Sequence, residues 1–310
     1  MDKLSVALRS NGKTLELKNP VLTASGTFGW GNEFACYGDL KSLGGMILKG
    51  VSLQPREGNP MPRIAETPCG MLNAVGLQNC GAAVMLRDKL DPLPWQETPV
   101  IANIYADSLE EFADLAALLA ADARIAALEV NVSCPNVCKG GALFGQDPAA
   151  AAAVTAAVVK AAGPKPVIVK LTPNVTDIAE IAKACEGAGA DILSCINTVA
   201  GLAVDLRSRR LLPARVPAGL SGPAIKPVGL RCVRQVSQAV SIPVIGIGGI
   251  MSVEDVLEYI LVGASAVQVG TASFTRPDAA FTLVKELPAA CVEYGVSAWD
   301  DLRGRAEVSM

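Results

Sequence analysis

Five polar side chains stand at the carboxyl ends of short apolar runs and could together bind a ligand. They are Lys49, Asn103, Asn131, Lys170 and Asn197. An unpaired lysine or amide that is buried costs about 1–3 kcal/mol or more, so a purely structural protein has little reason to collect such residues. An amide can both donate and accept hydrogen bonds, which suits a planar ring with N–H and C=O edges, and a lysine adds positive charge for an anion. Each residue alone is compatible with a solvated strand end, but the set favours a binding site.

Two glycine-rich turns toward the carboxyl terminus could bind a phosphate group. One is Gly246-Ile247-Gly248-Gly249, and the other is Val269-Gly270-Thr271-Ala272. Glycine lets backbone N–H groups approach phosphate oxygens because it has no Cβ. Gly222, at the end of a long connection, could supply a further amide. Either turn alone could simply end a strand, but the pair predicts a phosphate site.

A cysteine in a polar loop is the candidate for proton transfer. Cys134 lies in Asn131-Val132-Ser133-Cys134-Pro135-Asn136-Val137, just after a predicted strand. Most free cysteines are buried structural thiols, but a thiol above the end of a strand can be activated as a base or a nucleophile. The chain contains no histidine, so a general base must be Cys, Asp, Glu, Lys or Tyr.

The composition is typical of a soluble protein with a large core. Of the 310 residues, 51% are hydrophobic and 18% are charged, and the net charge of −3 gives no reason to expect a nucleic-acid partner. No apolar run reaches the roughly 20 residues of a membrane span, and the first residues lack the apolar segment of a signal peptide. Nine unevenly spaced cysteines fit reduced thiols, and the lone CxxxC pair is a weak metal signal. We therefore expect a cytoplasmic protein that binds no metal, membrane or nucleic acid.

Eight short apolar runs alternate with helix-like stretches, and most of the runs are continuously apolar. This pattern is typical of parallel strands that are buried on both faces. The predicted strands are Val21–Ala24, Gly45–Lys49, Val100–Ile104, Ala127–Asn131, Val167–Leu171, Asp191–Ile196, Pro243–Ile247 and Ser265–Val269. They predict an α/β fold, a (β/α)₈ TIM barrel in which residues 1–310 form a single domain. An open doubly wound sheet is the structural alternative.

Helix start signals and long connections place the candidate residues at one end of this barrel. Helix-like stretches begin after Ser108, Asp147, Asp177 and Ser252, and another helix is predicted near Lys226–Ala239. Three long connections follow strands, at residues 50–77, 132–146 and 198–223. They belong on the carboxyl-end face of the barrel, where the active sites of such folds lie.

Several of these segments resemble the dihydroorotate dehydrogenase family. The matching stretches are Asn73-Ala74-Val75-Gly76-Leu77-Gln78-Asn79, Asn131-Val132-Ser133-Cys134-Pro135-Asn136, Ile196-Asn197-Thr198, Leu220-Ser221-Gly222-Pro223-Ala224 and Gly246-Ile247-Gly248-Gly249-Ile250. The resemblance runs from about Asn19 to Pro277. The loop Cys138-Lys139-Gly140-Gly141 looks more like the class 1B catalytic subunit than the fumarate-linked class 1A, although class 1B commonly has Lys before Cys here.

The resemblance implies an FMN-dependent oxidoreductase that oxidises dihydroorotate to orotate in pyrimidine (UMP) biosynthesis. It implies that FMN contacts Ser25, Lys49, Gly50, Asn103, Asn131, Lys170, Ile196, Gly222, Gly248, Gly249, Gly270 and Thr271. It implies that the substrate contacts Lys49, Asn73, Ala74, Val75, Gly76, Leu77, Asn131, Asn197 and Thr198. Cys134 would be the catalytic base that takes the C5 proton while hydride moves from C6 to the flavin.

The resemblance to class 1B also implies a partner chain. Electrons would pass to an electron-transfer subunit with FAD and a 2Fe-2S cluster and then to NAD, and a homodimer of this chain would form the core of a heterotetramer. Other activities stay open at this point. One is a flavin reductase like dihydropyrimidine dehydrogenase, which shares the Asn-x-Ser-Cys-Pro loop. Another is a flavin-free phosphate-binding lyase that uses Lys49 or Lys170 as a Schiff base, and a third is a non-catalytic binding subunit.

Overall fold

Parallel strands form a closed barrel at the centre of the molecule. The computed structural model describes residues 4–132 and 144–308. Within these residues the barrel has eight strands: β1 (Val21–Thr23), β2 (Met46–Ile47), β3 (Val100–Ile104), β4 (Ala127–Asn131), β5 (Val167–Leu171), β6 (Ile192–Cys195), β7 (Val244–Ile247) and β8 (Ala266–Val269).

Each barrel strand pairs with the strands that precede and follow it in the chain, and β8 pairs with β1. The ring closes between β1 and β2, where the Gly44 amide donates to the Val21 carbonyl at 2.9 Å and the Thr23 amide donates to the Gly45 carbonyl at 3.2 Å. The predicted (β/α)₈ barrel is therefore confirmed. The open doubly wound sheet is excluded, because such a sheet has two free edges and a reversal of strand order.

The predicted strands correspond closely to the observed ones. β3, β4 and β5 have the predicted bounds, and the others are shorter by one to three residues. All five residues of β3 and of β5 are buried. Continuous apolar runs thus form strands because the barrel interior covers one face and the helices cover the other.

Nine helices lie around the barrel among the described residues. They are α1 (Ala82–Asp88), α2 (Leu109–Ala120), α3 (Pro148–Ala162), α4 (Ile178–Gly187), α5 (Lys226–Ala239), α6 (Val253–Leu261), α7 (Ala272–Thr275), α8 (Ala279–Glu293) and α9 (Trp299–Leu302). Ser108, Asp147, Asp177 and Ser252 each accept a hydrogen bond from a backbone amide in the first turn of α2, α3, α4 and α6. Short 3₁₀ turns lie at Asn32–Phe34, Leu40–Ser42 and Pro223–Ile225.

A hairpin that the sequence analysis did not predict lies at the amino-terminal end of the barrel. Its strands are Val6–Ser10 and Lys13–Leu17. Their inward side chains are buried, and Asn11 and Lys13 at the turn both contact the carboxylate of Asp191, which immediately precedes β6. The hairpin is therefore attached to the barrel floor by both apolar and charged contacts.

An antiparallel sheet lies at the opposite, carboxyl-end face. Its strands, in order, are Val199–Gly201, Ala218–Ser221, Gly70–Asn73 and Ile64–Thr67. A separate pair, Ala203–Asp205 and Arg210–Leu212, extends from it. The sequence analysis identified residues 50–77 and 198–223 as long connections but did not predict that strands within them pair with each other. No helix among the described residues is long and apolar enough to cross a membrane.

Candidate functional site

A cavity of about 570 Å³ opens at the carboxyl-end mouth of the barrel, beneath the antiparallel sheet. Ligand sites in proteins commonly have volumes of roughly 300–1,000 Å³. All the predicted binding residues line this cavity: Ser25, Lys49, Gly50, Asn73, Ala74, Val75, Gly76, Leu77, Asn103, Asn131, Lys170, Ile196, Asn197, Thr198, Gly222, Gly248, Gly249, Gly270 and Thr271. Cys134 and Cys138 lie outside the described residues. The structure thus brings together side chains that are far apart in the sequence.

The glycine turns after β7 and β8 meet the end of the residue 198–223 connection on one side of the cavity. A Cβ on Gly249 would lie 2.9 Å from the Gly222 carbonyl oxygen, and a Cβ on Gly222 would lie 3.6 Å from Cγ2 of Thr271. Gly222, Gly248 and Gly249 have φ angles of +96°, +128° and +70°, which side-chain-bearing residues rarely adopt. The three turns therefore form a narrow backbone cradle of the kind that binds phosphate.

Charged side chains fix the helix starts beside this cradle. Lys226, at the start of α5, forms ion pairs with Asp255 and Glu258 of α6. Asp255 also accepts hydrogen bonds from the amides of Met251 and Ser252, at 2.7 and 2.9 Å. The carboxylate therefore holds the segment between β7 and α6 in place.

A buried carboxylate orients amide side chains below the cavity. Glu129 of β4 is fully buried and accepts hydrogen bonds from Asn103 Nδ2 at 2.6 Å, Gln268 Nε2 at 2.7 Å and Ser194 Oγ at 2.8 Å. Because its nitrogen faces Glu129, Asn103 presents Oδ1 beside Gly50, and this buried oxygen has no protein partner among the described residues. An unpaired buried acceptor at a cavity wall is what a ligand N–H group would satisfy.

Two further amides are joined across the mouth of the barrel. Asn197 Nδ2 lies 3.3 Å from Asn131 Oδ1, and Asn197 Oδ1 accepts from the Thr198 amide at 2.8 Å. Asn174, which the sequence analysis did not identify, donates to the Thr198 carbonyl at 3.0 Å and accepts from the Ala200 amide at 2.8 Å. These contacts set the position of the Asn197–Thr198 segment at the cavity.

The Asn73–Leu77 segment is fixed to the same cavity by neighbours in its own connection. Asn73 Nδ2 donates to the Gly219 carbonyl at 3.2 Å, which joins the two long connections. Gly76 packs closely against Asn59, because a Cβ on Gly76 would lie 2.6 Å from the Asn59 side chain. Asn59 Nδ2 also donates to the Ala74 carbonyl at 2.9 Å. Asn59 also lines the cavity and was not predicted.

Positive charge is concentrated near Lys49. Its side chain is partly buried, and this burial, together with the nearby Arg63 guanidinium, lowers the pKa of Lys49, although the Cys80 thiol opposes the change. The exposed Arg215 also lines the cavity. An anionic ligand would relieve the repulsion between Lys49 and Arg63, so the region around Lys49 is suited to a carboxylate.

Comparisons with known proteins agree on one family. A family model described as dihydroorotate dehydrogenase matches residues 7–291 of the chain. Three similar proteins are each named dihydroorotate dehydrogenase B (NAD(+)), catalytic subunit. They come from Solidesulfovibrio magneticus, 63% identical over 95% of this chain and 96% of the relative; Maridesulfovibrio salexigens, 59% identical over 94% and 95%; and Trichlorobacter lovleyi, 56% identical over 95% and 96%.

Proposed function

The chain belongs to the dihydroorotate dehydrogenase family, and we propose that it is the catalytic subunit of a dihydroorotate dehydrogenase. The enzyme oxidises dihydroorotate to orotate in pyrimidine biosynthesis, and NAD is the final electron acceptor. One observation carries this proposal. A single cavity combines a glycine cradle suited to phosphate with cations and oriented amides suited to a flavin ring and a small anion. The family shows that this chain is an oxidoreductase that works with a flavin.

We propose that the flavin is FMN. The glycine cradle at Gly222, Gly249 and Thr271 suits the phosphate, because its backbone can approach oxygens that a Cβ would exclude. The unpaired Oδ1 of Asn103 suits an N–H group of the ring, since flavins carry both N–H and C=O edges. β3 and β7 lie on opposite sides of the ring of strands, so the two sites would hold opposite ends of one elongated molecule. Bound flavin would supply the hydride acceptor for the reaction.

We propose that the dihydroorotate carboxylate is held by Lys49 and that the pyrimidine ring is held by the amides of Asn73, Asn131 and Asn197. Lys49 supplies the charge, and the amides supply donors and acceptors for the ring edges. The segment Asn73–Leu77 would then cover the substrate, because it lies in the sheet and connections above the cavity. These residues place the C5–C6 bond and exclude water from it.

Cys134 is the proposed base. It would take a proton from C5 of dihydroorotate onto its thiolate sulfur as hydride leaves C6, so that the C5–C6 single bond becomes the double bond of orotate. Cys134 lies outside the described residues, and its assignment comes from the family resemblance together with the absence of histidine from the chain.

The relatives are named as catalytic subunits, and such a name implies a second subunit that carries electrons onward. We propose that this partner contains FAD and a 2Fe-2S cluster, and that a homodimer of this chain forms the core of a heterotetramer. Residues 1–310 would act in it as one FMN-binding domain.

Anaerobic mixing with dihydroorotate tests the activity. The purified protein should carry one flavin per chain, released as FMN on denaturation, and dihydroorotate should bleach its visible absorbance with formation of one orotate per flavin. Orotate itself, added in the same way, should leave the flavin oxidised. A colourless protein, or a flavin that stays oxidised with dihydroorotate and is bleached by another dihydropyrimidine, would contradict the proposal.

A further inference from the structure

We infer that Tyr259 is a positioning residue for the flavin phosphate: its hydroxyl fixes the peptide between Gly248 and Gly249 with the amide of Gly249 facing the cavity. This inference rests on the proposed function, because it takes the glycine cradle as the phosphate site. Tyr259 belongs to α6, lies behind the cradle and is fully buried. It does not itself line the cavity.

The contact that carries the inference is a hydrogen bond from the tyrosine to the glycine turn. Tyr259 Oη donates to the Gly248 carbonyl oxygen at 2.7 Å and lies 3.3 Å from the Ile247 carbonyl oxygen. Burial raises the pKa of Tyr259 well above its usual range. The phenol therefore stays protonated at neutral pH and remains a hydrogen-bond donor.

The chain provides a slot that places this hydroxyl. A Cβ on Gly229 of α5 would lie 1.9 Å from Tyr259 Oη, and a Cβ on Gly246 of β7 would lie 2.4 Å from Tyr259 Cδ1. Two glycines in different elements thus make room for one aromatic ring. The ring packs against the strand so that its polar end reaches the last residue of β7 and the turn that follows it.

The consequence for the cradle follows from peptide geometry. In a planar trans peptide the C=O and N–H bonds point in opposite directions, so anchoring the Gly248 oxygen sets the direction of the Gly249 N–H. Glycine on both sides gives this peptide little resistance to rotation. The Gly249 amide has no acceptor among the described residues, and Gly249 lines the cavity. Its orientation toward a ligand therefore depends on Tyr259.

Comparing the affinities for FMN and riboflavin isolates the contribution of the oriented Gly249 amide to phosphate binding, because riboflavin lacks the phosphate. The affinities of both flavins are measured on flavin-free parent protein and on Tyr259→Phe, which keeps the ring in its slot and removes only the hydroxyl. We expect Tyr259→Phe to bind FMN roughly five- to tenfold more weakly than the parent does, because one aligned hydrogen bond is lost. Its affinity for riboflavin should differ from that of the parent by less than about twofold. Tyr294→Phe, the same change at an exposed position, should leave both affinities unaltered.

The alternative is that Tyr259 only supports the fold, and the two flavins separate these roles. If Tyr259→Phe weakens FMN and riboflavin equally, or neither, the inference is overturned. If the parent itself does not prefer FMN, the proposed phosphate site fails, and the inference fails with it. Tyr259→Met, which fills the slot with a flexible side chain, gives the same comparison should the phenylalanine variant fold poorly. Its FMN preference should fall by a similar factor.

Discussion

At the scale of single residues, Lys49 combines positive charge with an environment that disfavours that charge. Burial and the Arg63 guanidinium lower its pKa, so Lys49 loses its proton at a lower pH than an exposed lysine does. Orotate is an anion, so the proposed contact with Lys49 needs the charged form of the lysine. We therefore expect the affinity of the flavin-loaded protein for orotate to fall as the pH rises through this lowered pKa. Lys49→Arg, whose guanidinium stays charged, should bind orotate with a flat profile over the same range. Identical profiles for both proteins would remove Lys49 from the site.

Cys134 is expected to control the chemical step rather than binding. Cys134→Ser keeps the size of the side chain but replaces the thiol with a much weaker proton acceptor at neutral pH. Loss of a positioned base costs about 10²–10⁴ in rate. We expect this variant to bind FMN and orotate nearly normally while dihydroorotate reduces its flavin slowly, with partial recovery at high pH. The measurement is the rate of anaerobic flavin reduction in a stopped-flow mixer across pH.

The matched control for Cys134 is Cys138→Ser, the same change four residues further along the chain. A free thiol has a pKa of about 8.5, so the parent and this control should both speed up as the pH rises toward the alkaline range. The mechanism would be wrong if Cys134→Ser reduced its flavin as fast as the parent, because the base would then lie elsewhere.

Sequence reasoning identified the residues that line the cavity better than the residues that hold those side chains in position. Polar residues at strand ends, such as Asn103 and Lys49, were predicted to gather and do line one cavity. Glu129 and Tyr259 were missed because the hydrogen-bond partners that give each side chain its role lie on other elements. Asn59 was missed because its contact with Gly76 depends on the path of a long connection.

At the scale of elements, the turn after β7 tests the phosphate cradle. An alanine at Gly249 would put its Cβ 2.8 Å from Lys226 Cβ and 2.9 Å from the Gly222 oxygen, at a φ of +70°. The turn must shift, so amides that bind phosphate would lose their alignment. We expect Gly249→Ala to weaken FMN binding by roughly ten- to hundredfold, the loss of one or two charge-assisted hydrogen bonds, as measured by flavin fluorescence titration.

The control for Gly249 has a similar backbone strain away from the site. Gly163, at the end of α3, has a φ of +57°, and a Cβ there would meet nothing within 4 Å. Gly163→Ala should cost about 1–2 kcal/mol of stability and leave FMN affinity unchanged. Equal FMN affinities for the two variants would show that the turn after β7 does not contact the phosphate.

The amino-terminal hairpin should contribute to stability through one buried carboxylate. Asp191 is 2% exposed and accepts from Lys13 Nζ at 3.1 Å, Asn11 Nδ2 at 3.2 Å and the Val167 amide at 2.9 Å. Asp191→Ala would leave these donors unpaired and should lower the free energy of unfolding by about 3 kcal/mol. Arg9→Ala removes an exposed ion pair with Glu16 on the same hairpin and should cost less than about 1 kcal/mol. Urea unfolding gives the free energy of unfolding of both variants, and similar losses would show that the buried carboxylate contributes no more than the exposed ion pair.

The elements that the sequence predicted are those with local signals. A barrel strand is a continuous apolar run and a helix start has a capping residue, so both can be identified within a few positions. The antiparallel sheet pairs Gly70–Asn73 with Ala218–Ser221, segments that are far apart in the chain. Its strands are short and only partly buried, so they carry neither a continuous apolar run nor a clear alternation. The pairing therefore could not be predicted from either segment alone.

At the scale of the whole molecule, the two ends of the barrel differ in structure and in the role that we propose for each. The floor is closed by the amino-terminal hairpin and its buried ion pair, whereas the mouth carries the cavity and the antiparallel sheet. The buried ion pair of the floor thus lies away from the residues that we propose bind the ligand, as in other barrels of this kind. Variants of the floor and of the mouth are therefore expected to act independently.

Electron exit is the property in which this chain depends most on a partner. An iron–sulfur cluster needs four closely placed thiolates, and the only CxxxC pair in the sequence is Cys134 and Cys138, the first of which is the proposed base. The glycine cradle is already assigned to FMN, and the sequence contains no Gly-x-Gly-x-x-Gly fingerprint for a dinucleotide.

We therefore expect the isolated chain, loaded with FMN, to pass electrons from dihydroorotate to an artificial acceptor such as a quinone dye but not to NAD. Adding the electron-transfer subunit should start NAD reduction, and the FMN-free chain with the same subunit should remain inactive. NAD reduction is followed by the absorbance of NADH under anaerobic conditions. Reduction of NAD by the isolated chain at the rate of the dye would show that the chain has its own pyridine-nucleotide site. The partner would then be unnecessary for turnover, and the class 1B assignment of electron flow would have to be abandoned.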